Sequence, residues 1–288
     1  MNSPLLIRTL SALLLAPPLL LLLLAGSPFW LFLLTIPVAI VLMYEWHRLQ
    51  EPFTLRRFLP LLLGVLLLLF STSLPGTGAG QPPALPFPFF SMPLSISCGL
   101  LLLLLFAEEL WRYRPGGAVV DGMGRRFFGV LYCVLPLLLL VEVRYAERGG
   151  LLICHLLLMI WATDVGAFFA GRRWGERKLA PHISPGKTVA GFWGGVVLAS
   201  VVGGGMAHGF SLPYDGLEAT LLGAALSVVG QMGDLAESML KREAGVKDSG
   251  QLIPGHGGAL DRLDSLLFAA PVYYIFLWGY ALIPSRGW

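Results

Sequence analysis

Long apolar runs alternate with short polar connections along this chain of 288 residues. A helix needs about 20 mainly apolar residues to cross the hydrocarbon core of a bilayer. Because helices satisfy their own backbone hydrogen bonds, the pattern predicts an all-α, polytopic integral membrane protein with about nine transmembrane helices. The expected spans are 8–25, 28–44, 58–73, 95–111, 127–143, 150–170, 190–208, 217–234 and 263–284.

The first apolar run allows two interpretations. It follows Arg8 and is rich in leucine, as the core of a cleavable signal peptide would be. Because the rest of the chain is polytopic, we favour an uncleaved first span, with Pro17 and Pro18 kinking or breaking its middle.

Composition and charge agree with a membrane protein. Hydrophobic residues make up 56% of the chain and charged residues only 13%, which lies far outside the range of soluble domains. The net charge of +3 is too small to indicate a nucleic-acid partner. Cys98, Cys133 and Cys154 share no metal-binding or redox spacing and are expected to be small core residues.

The basic residues sort to one side of the predicted topology. Lysine and arginine accumulate in cytoplasmic loops. With a cytoplasmic N-terminus, 17 of the 20 basic residues fall on the cytoplasmic side. The residues on the other side are Arg144, Arg148 and Arg286. This sorting predicts nine spans with a cytoplasmic N-terminus and a C-terminus on the opposite side. The expected location is the cell inner membrane.

The spans divide the chain into two regions. Residues 1–145 contain about five spans, and residues 146–288 contain about four spans that carry most of the unusual polar residues. The second region is predicted to have cytoplasmic loops at 171–189 and 235–262.

A hydrophilic segment between the last two spans contains a repeated acidic pattern. An acid is followed by a second acid three residues later and by a serine four residues later. The first copy is Asp234, Glu237 and Ser238, and the second copy is Asp261, Asp264 and Ser265. On helices these spacings place the three side chains on one face. Clustered carboxylates repel one another unless a cation lies between them, and oxygen ligands suit Mg²⁺.

Basic residues and a glycine-rich turn complete this segment. Fixed positive charge beside Mg²⁺ suits phosphate oxygens. The basic residues are Lys241, Arg242, Lys247 and Arg262. The turn at 254–258 reads Pro-Gly-His-Gly-Gly, and its glycines permit positive φ and close backbone approach to a ligand. The alternative interpretation is a solvated cytoplasmic loop with a chance repeat.

A second polar cluster begins inside the sixth predicted span. Asp164 lies well within an apolar run, and an ionisable group at that depth indicates a functional site because leaving it in lipid is costly. Gly166 beside it allows close contact with another helix.

The following loop contains Ser184-Pro-Gly-Lys187-Thr188. Its hydroxyl groups, flexible backbone and ammonium could cradle nucleotide phosphates. It is not a Walker A loop, because that motif requires a glycine where Pro181 stands. A plain turn is the alternative interpretation.

Taken together, the polar residues resemble the signature of the phosphatidate cytidylyltransferase family, whose members are also called CDP-diacylglycerol synthases. The residues in register are Ser238, Lys241, Arg242, Lys247, Asp248, Gly250, Ile253, Pro254, His256, Gly257, Gly258, Asp261, Arg262, Leu263 and Asp264. Residues 164–195 look like the family's second conserved block, so the likeness covers roughly the C-terminal half. The departures are Ala259, Ala190 where the family commonly has glutamate, and Phe168 where tyrosine is common.

The resemblance implies the reaction of CTP with phosphatidate to give CDP-diacylglycerol and pyrophosphate, the first committed step of phospholipid synthesis. It implies a requirement for Mg²⁺, with a second cation as an open alternative. The family likeness and the paired acidic helices make Asp234 and Asp261 the expected principal metal ligands. The residues expected to complete or orient the metal shell are Glu237, Ser238 and Asp264, and Asp164 is a further candidate ligand.

The same resemblance assigns roles to the remaining polar residues. Positive side chains would neutralise the triphosphate and the lipid phosphate, and they are Lys187, Lys241, Arg242, Lys247 and Arg262. The other expected substrate-binding residues are Ser184, Thr188, Ser238, His256, Gly257 and Gly258. For His256 a hydrogen-bonding structural role in the turn is the alternative.

The expected partners are CTP, phosphatidate and the bilayer, with the active site facing the cytoplasm. A homodimer through glycine-rich faces such as Gly203-Gly204-Gly205 is compatible with the family and with small-residue packing. Two alternatives stay open. The first is cytidylyl or phosphoryl transfer from CTP to another lipid acceptor. The second is a cation transporter, although the acids gather at one membrane face rather than near the midplane.

Overall fold

A computed structural model of the chain describes residues 17–69, 94–113, 117–250 and 257–281. These residues form helices joined by short connections, together with one two-stranded hairpin. The helices are α1 (17–25), α2 (Pro28–Gln50), α3 (Leu55–Leu69), α4 (Leu94–Arg112), α5 (Val119–Tyr145), α6 (Gly149–Trp174), α7 (Val189–Gly209), α8 (Gly216–Glu243) and α9 (Leu260–Ala281). The strands are β1 (Lys178–Ala180) and β2 (Ser184–Thr188).

Seven of the described helices, α2 and α4 to α9, are long and apolar enough to cross a membrane. The predicted all-α, multi-pass membrane architecture is therefore confirmed. Helix α1 is described only from residue 17, and α3 has 15 residues. The count of nine spans and the cytoplasmic N-terminus stay predictions.

Polar contacts join neighbouring helices at both ends of the helix bundle. At one end, Trp46 of α2 donates its indole N–H to the carbonyl of Arg125 in α5, at 3.2 Å. At the other end, Arg148 before α6 donates to the carbonyl of Phe210 after α7, at 3.1 Å. These contacts agree with spans that alternate in direction. We call the end that holds the C-terminal end of α2 and the start of α5 the site end.

Glycines let α6 and α7 pack closely. A Cβ atom added at Gly194 of α7 would lie 2.7 Å from the carbonyl oxygen of Gly166 in α6. The close helix contact predicted at Gly166 is thus confirmed. This contact brings the polar face of α6, including Asp164, against the start of α7.

The predicted dimer face was wrong for Gly203 and Gly204, because both pack against α8 of the same chain. A Cβ atom at Gly203 would lie 2.6 Å from the carbonyl oxygen of Ala219, and one at Gly204 would lie 3.1 Å from that of Gly216. Gly205 alone of the three has open space within 4 Å. The homodimer itself stays a prediction.

The predicted loop at 171–189 is more ordered than expected. Its first residues complete α6, and its second half forms an antiparallel hairpin in which Lys178 pairs with Thr188 and Ala180 pairs with Ser184. Short strands of this kind carry too few apolar residues in alternation to be recognised from sequence.

The predicted loop at 235–262 is helical at both ends, because α8 continues to Glu243 and α9 begins at Leu260. Helix α8 has 28 residues. At about 1.5 Å per residue it exceeds the roughly 30 Å hydrocarbon core, so its last turns can carry charged residues beyond the lipid.

Candidate active site

The elements that form the site are α6, the β1–β2 hairpin, the start of α7, α8 and α9. Helices α8 and α9 approach closely at Gly233, where an added Cβ atom would lie 2.6 Å from the carbonyl oxygen of Asp264. Both acidic patterns lie on helices, as predicted, the first on α8 and the second on α9. The close approach sets the two polar faces side by side.

The first group of site residues is built around an ion pair between the hairpin and α8. The Nζ atom of Lys187 lies 2.6 Å from Oδ2 of Asp234. The hydroxyl of Ser238 lies 3.5 Å from Oδ1 of Asp234 on the same helix. The Asp234 side chain keeps 38% exposure, so its carboxylate stays accessible to a ligand.

This ion pair lines a cavity of about 480 Å³, which is within the range of small-molecule sites. Its wall combines polar groups from Asp164 and Gln231 with aromatic surface from Phe168 and Phe192. Thr188 also lines the cavity, and its hydroxyl accepts a hydrogen bond from the amide of the third residue of α7 at 3.1 Å. The predicted phosphate-binding residue therefore also caps a helix.

Three carboxylates act on one another beside this cavity. Asp264 is buried against α8, and the negative charges of Asp234 and Asp164 repel its ionised form. The positive charges of Lys187 and Arg262 offset the repulsion at Asp164. The arrangement favours binding of further positive charge.

The second group of site residues is centred on Lys241. Its Nζ atom lies 2.5 Å from a carboxylate oxygen of Glu237 and 2.5 Å from Oδ1 of Asp261. The side chains of Glu237 and Asp261 are only 1% and 9% exposed. Lys241 therefore links α8 to α9 through a nearly buried group of one lysine and two carboxylates.

The other oxygen of Asp261 holds the turn before α9. It accepts hydrogen bonds from the amides of Ser249 at 3.0 Å and Gly258 at 2.8 Å. Gly257 has a φ angle of +81°, and a Cβ atom there would lie 2.7 Å from the same oxygen. The positive φ that the turn glycines were predicted to permit is thus present at Gly257. His256 lies outside the described residues, so its role stays a prediction.

The remaining predicted residues are less closely associated with the cavity. Arg242 donates to the carbonyl of Ile183 at 3.3 Å and to that of Val246 at 3.4 Å, which links the end of α8 to the hairpin. Lys247 is exposed in the connection after α8. Ser184 takes part in the hairpin register. Their predicted roles in substrate binding stay untested.

The carboxylates can be compared with the needs of Mg²⁺. Within the described ranges, no group of three or more His, Cys, Asp or Glu side chains is placed to hold a metal ion. Mg²⁺ usually takes one or two carboxylates and completes its shell with water and substrate phosphates. Asp234 fits this role because its side chain is 38% exposed beside the cavity, whereas Asp261 is only 9% exposed and holds Lys241 and two backbone amides. The predicted ligands Asp234, Asp261, Glu237, Asp264 and Asp164 stay predictions.

Glu45 was missed in the sequence. It lies near the end of α2, is 2% exposed, and accepts hydrogen bonds from Ser249 and from the amides of Ala259 and Leu260 at the start of α9. An acid at the end of an apolar run ordinarily extends into water, so only its burial distinguishes it. Gln231 was also missed, because only its place in the cavity wall distinguishes it from other polar residues.

Comparison with known proteins gives consistent matches. The sequence pattern of the cytidylyltransferase family matches residues 6–280. A phosphatidate cytidylyltransferase of Haemophilus influenzae is 35% identical over 284 residues, which cover 93% of this chain and 97% of that protein.

Two further relatives match over a shorter region. The phosphatidate cytidylyltransferases of Bacillus subtilis and Pseudomonas aeruginosa are 44% and 41% identical over 158 and 170 residues. These alignments cover 54% and 58% of this chain. The chain spans 59% and 60% of the length of these two relatives.

Proposed function

Because the chain belongs to the cytidylyltransferase family, we propose that it transfers the cytidylyl group of CTP to phosphatidate. The products are CDP-diacylglycerol and pyrophosphate. The protein would thus be a membrane-embedded nucleotidyltransferase of phospholipid synthesis. The observation that carries the proposal is the cavity at the site end, where Lys187 and Asp234 meet beside aromatic surface.

The cavity combines the two kinds of surface that the substrates require. Lys187 provides positive charge for phosphate oxygens. Phe168, also in the cavity wall, is 59% exposed. On a membrane-spanning helix such a side chain would face lipid. A water-soluble nucleotide and a lipid headgroup could therefore reach the same cavity from different directions.

The proposed chemical step needs no general base. A phosphate oxygen of phosphatidate attacks the α-phosphorus of CTP, a new P–O bond forms, and pyrophosphate leaves with the electrons of the broken P–O bond. The attacking phosphate is already ionised at neutral pH. The protein's task is to hold two polyanions together and to stabilise charge, which is positioning and electrostatics.

The two groups of the site divide this task. Lys187 would bind the triphosphate, because it is the lysine that lines the cavity. Lys241 would mainly hold α8 against α9, since two carboxylates already neutralise it. Mg²⁺, when bound, would screen the phosphate charges, and we propose Asp234 as its principal ligand, with Asp164 and Asp264 nearby. Asp261 would support the site from the adjoining group, through its ion pair with Lys241 and its hydrogen bonds to the turn before α9.

We further propose that the site end faces the cytoplasm of the inner membrane. Positive residues accumulate in the connections at this end, which is typical of cytoplasmic loops. CTP is available on that side of the membrane.

The test is transfer of label to lipid by the purified full-length protein. CTP labelled at the α-phosphate and, separately, at the γ-phosphate is supplied with phosphatidate and Mg²⁺. We expect α-label in the lipid product and γ-label in pyrophosphate. Label in lipid from the γ-position would instead indicate phosphoryl transfer. Vesicles that move Mg²⁺ without consuming CTP would favour the transporter.

A further inference from the structure

We infer that Glu45 of α2 is a positioning residue for the active site, although it lies far from that site in the sequence. Its carboxylate holds the start of α9, and α9 carries Asp261 and Asp264. The inference rests on the proposed cytidylyl transfer for its kinetic effect, whereas its structural effect can be measured without any reaction.

Glu45 makes hydrogen bonds with both oxygens. Oε1 accepts from the amide of Ala259 at 2.9 Å, and Oε2 accepts from the amide of Leu260 at 2.8 Å. Oε2 also lies 2.9 Å from the hydroxyl of Ser249. These partners stand 204 to 215 residues later in the chain. A single side chain of α2 therefore fixes both edges of the connection between α8 and α9.

The side chain of Glu45 reaches from the end of α2 to the start of α9, and a carboxylate is well suited to that place. The first amides of a helix lack partners within the helix, and the helix dipole favours negative charge there. Helix α9 begins at Leu260, so Glu45 serves as its cap from another helix. Asp261 follows immediately, and a shift of the first turn would move its carboxylate as well.

Two glycines allow the backbone to approach this carboxylate. A Cβ atom at Gly250 would lie 2.5 Å from Oε1 of Glu45, and one at Gly258 would lie 2.5 Å from Oε2. The turn glycines were predicted to allow close approach to a ligand, and at Gly258 the group that lies close is Glu45. Gly250 and Gly258 thus pack on a side chain of the N-terminal half.

Ser249 connects Glu45 to the site directly. Its hydroxyl lies 2.9 Å from Glu45 and 3.1 Å from Oδ2 of Asp261, and its amide donates to the same Asp261 oxygen. The two carboxylates therefore share the donors of one turn. A change at Glu45 should be transmitted to Asp261 through Ser249 and through the first turn of α9.

The inference is tested with Glu45→Gln, Glu45→Asp and the control Glu109→Gln. Glutamine retains the size of the side chain but has only one acceptor oxygen, so its NH₂ group would face a backbone N–H. Aspartate retains the charge and both acceptors on a shorter side chain. Glu109 of α4 forms an ion pair with Arg126 of α5 at 2.5 Å, and neither residue belongs to the predicted site.

The first measurement is hydrogen–deuterium exchange of the full-length protein in detergent. We expect Glu45→Gln to raise exchange at Ala259 and Leu260 by about tenfold, as loss of a buried hydrogen bond should. The control Glu109→Gln should leave these two amides unchanged. Glu45→Asp should give an intermediate effect, because it can still accept from part of the turn.

The second measurement is steady-state kinetics. We expect Glu45→Gln to lower kcat by about tenfold and to leave the KM for CTP within about threefold. KM should hold because the hydrogen-bond partners of Glu45, which are Ser249, Ala259 and Leu260, do not line the cavity. A purely structural role would instead lower the amount of folded enzyme, without changing kcat per folded molecule.

Unchanged exchange at Ala259 and Leu260 in Glu45→Gln would overturn the inference. Increased exchange with kcat equal to that of Glu109→Gln would overturn it also, because Glu45 would then anchor α9 without positioning the site. If Glu45→Gln does not fold, Glu45→Asp carries the same test, and wild-type values in both measurements would reject the inference. A wild-type protein without transferase activity would reject the proposed function, while the exchange experiment would still test the contacts.

Discussion

A comparison of the variants Asp261→Asn and Asp234→Asn distinguishes the two groups of site residues, one centred on Lys241 and the other on the ion pair of Lys187 with Asp234. The proposed reaction uses both carboxylates, so we expect both variants to lose turnover. Their stabilities should differ because their surroundings differ. Asp261 is 9% exposed and is held by Lys241 and two backbone amides, whereas Asp234 is 38% exposed and pairs with Lys187.

The expected magnitudes follow from these surroundings. Removing one partner of a buried ion pair costs about 3–5 kcal/mol. Glu237 still neutralises Lys241 in Asp261→Asn, so we expect the lower end, about 3 kcal/mol. The pair of Asp234 is more than one third exposed, and solvent screening limits such pairs to about 0–1 kcal/mol. The difference between the two variants should be about 2–3 kcal/mol.

The assay is thermal unfolding in one mild detergent, followed by circular dichroism. One kcal/mol shifts Tm by about 2–4 °C in larger domains, so Asp261→Asn should melt about 5–10 °C below Asp234→Asn. Melting temperatures within about 2 °C of each other would refute the structural role assigned to Asp261. Wild-type turnover in Asp261→Asn would refute its place in the site.

Three further changes test other parts of the site. Lys187→Ala should raise the KM for CTP by about tenfold, as expected for loss of a charge-assisted contact. The control Lys178→Ala, at an exposed lysine of the same hairpin, should leave this KM unchanged. Equal KM values in the two variants would exclude Lys187 from nucleotide binding. Gly258→Ala should destabilise the protein by about 1–3 kcal/mol in the same melting assay because its Cβ would collide with Glu45. Gly205→Ala, which has open space, should melt close to wild type, and a neutral Gly258→Ala would contradict the packing. Chelation of Mg²⁺ should stop turnover without unfolding, and continued turnover in excess chelator would remove the metal from the proposal.

Much of the architecture was readable from local patterns. The apolar runs predicted the spans because a helix in lipid needs a fixed length of apolar residues. The spacing of Asp234 and Glu237, repeated in Asp261 and Asp264, predicted shared helix faces because it matches the helical repeat. The turn at Gly257 was predictable because few other residues adopt positive φ. Each of these properties depends on residues that are close together in the sequence.

The pairing of the charged groups could not be obtained in this way. No local pattern indicated that Asp234 pairs with Lys187 of the hairpin or that Asp261 pairs with Lys241. Which cation neutralises which acid depends on how far the helices slide and rotate against each other. Local periodicity carries no information about that relative placement.

Glu45 shows the same limit most clearly. In the sequence it is one acid at the end of an apolar helix, whereas in the fold it caps a helix that begins more than two hundred residues later. The hydrophobic pattern specifies which faces are buried, but hydrogen-bond partners across the bundle are selected only when every helix has packed. The sequence by itself therefore determines the apolar spans, whereas the pairing of acids with lysines in the site is determined by how the helices pack.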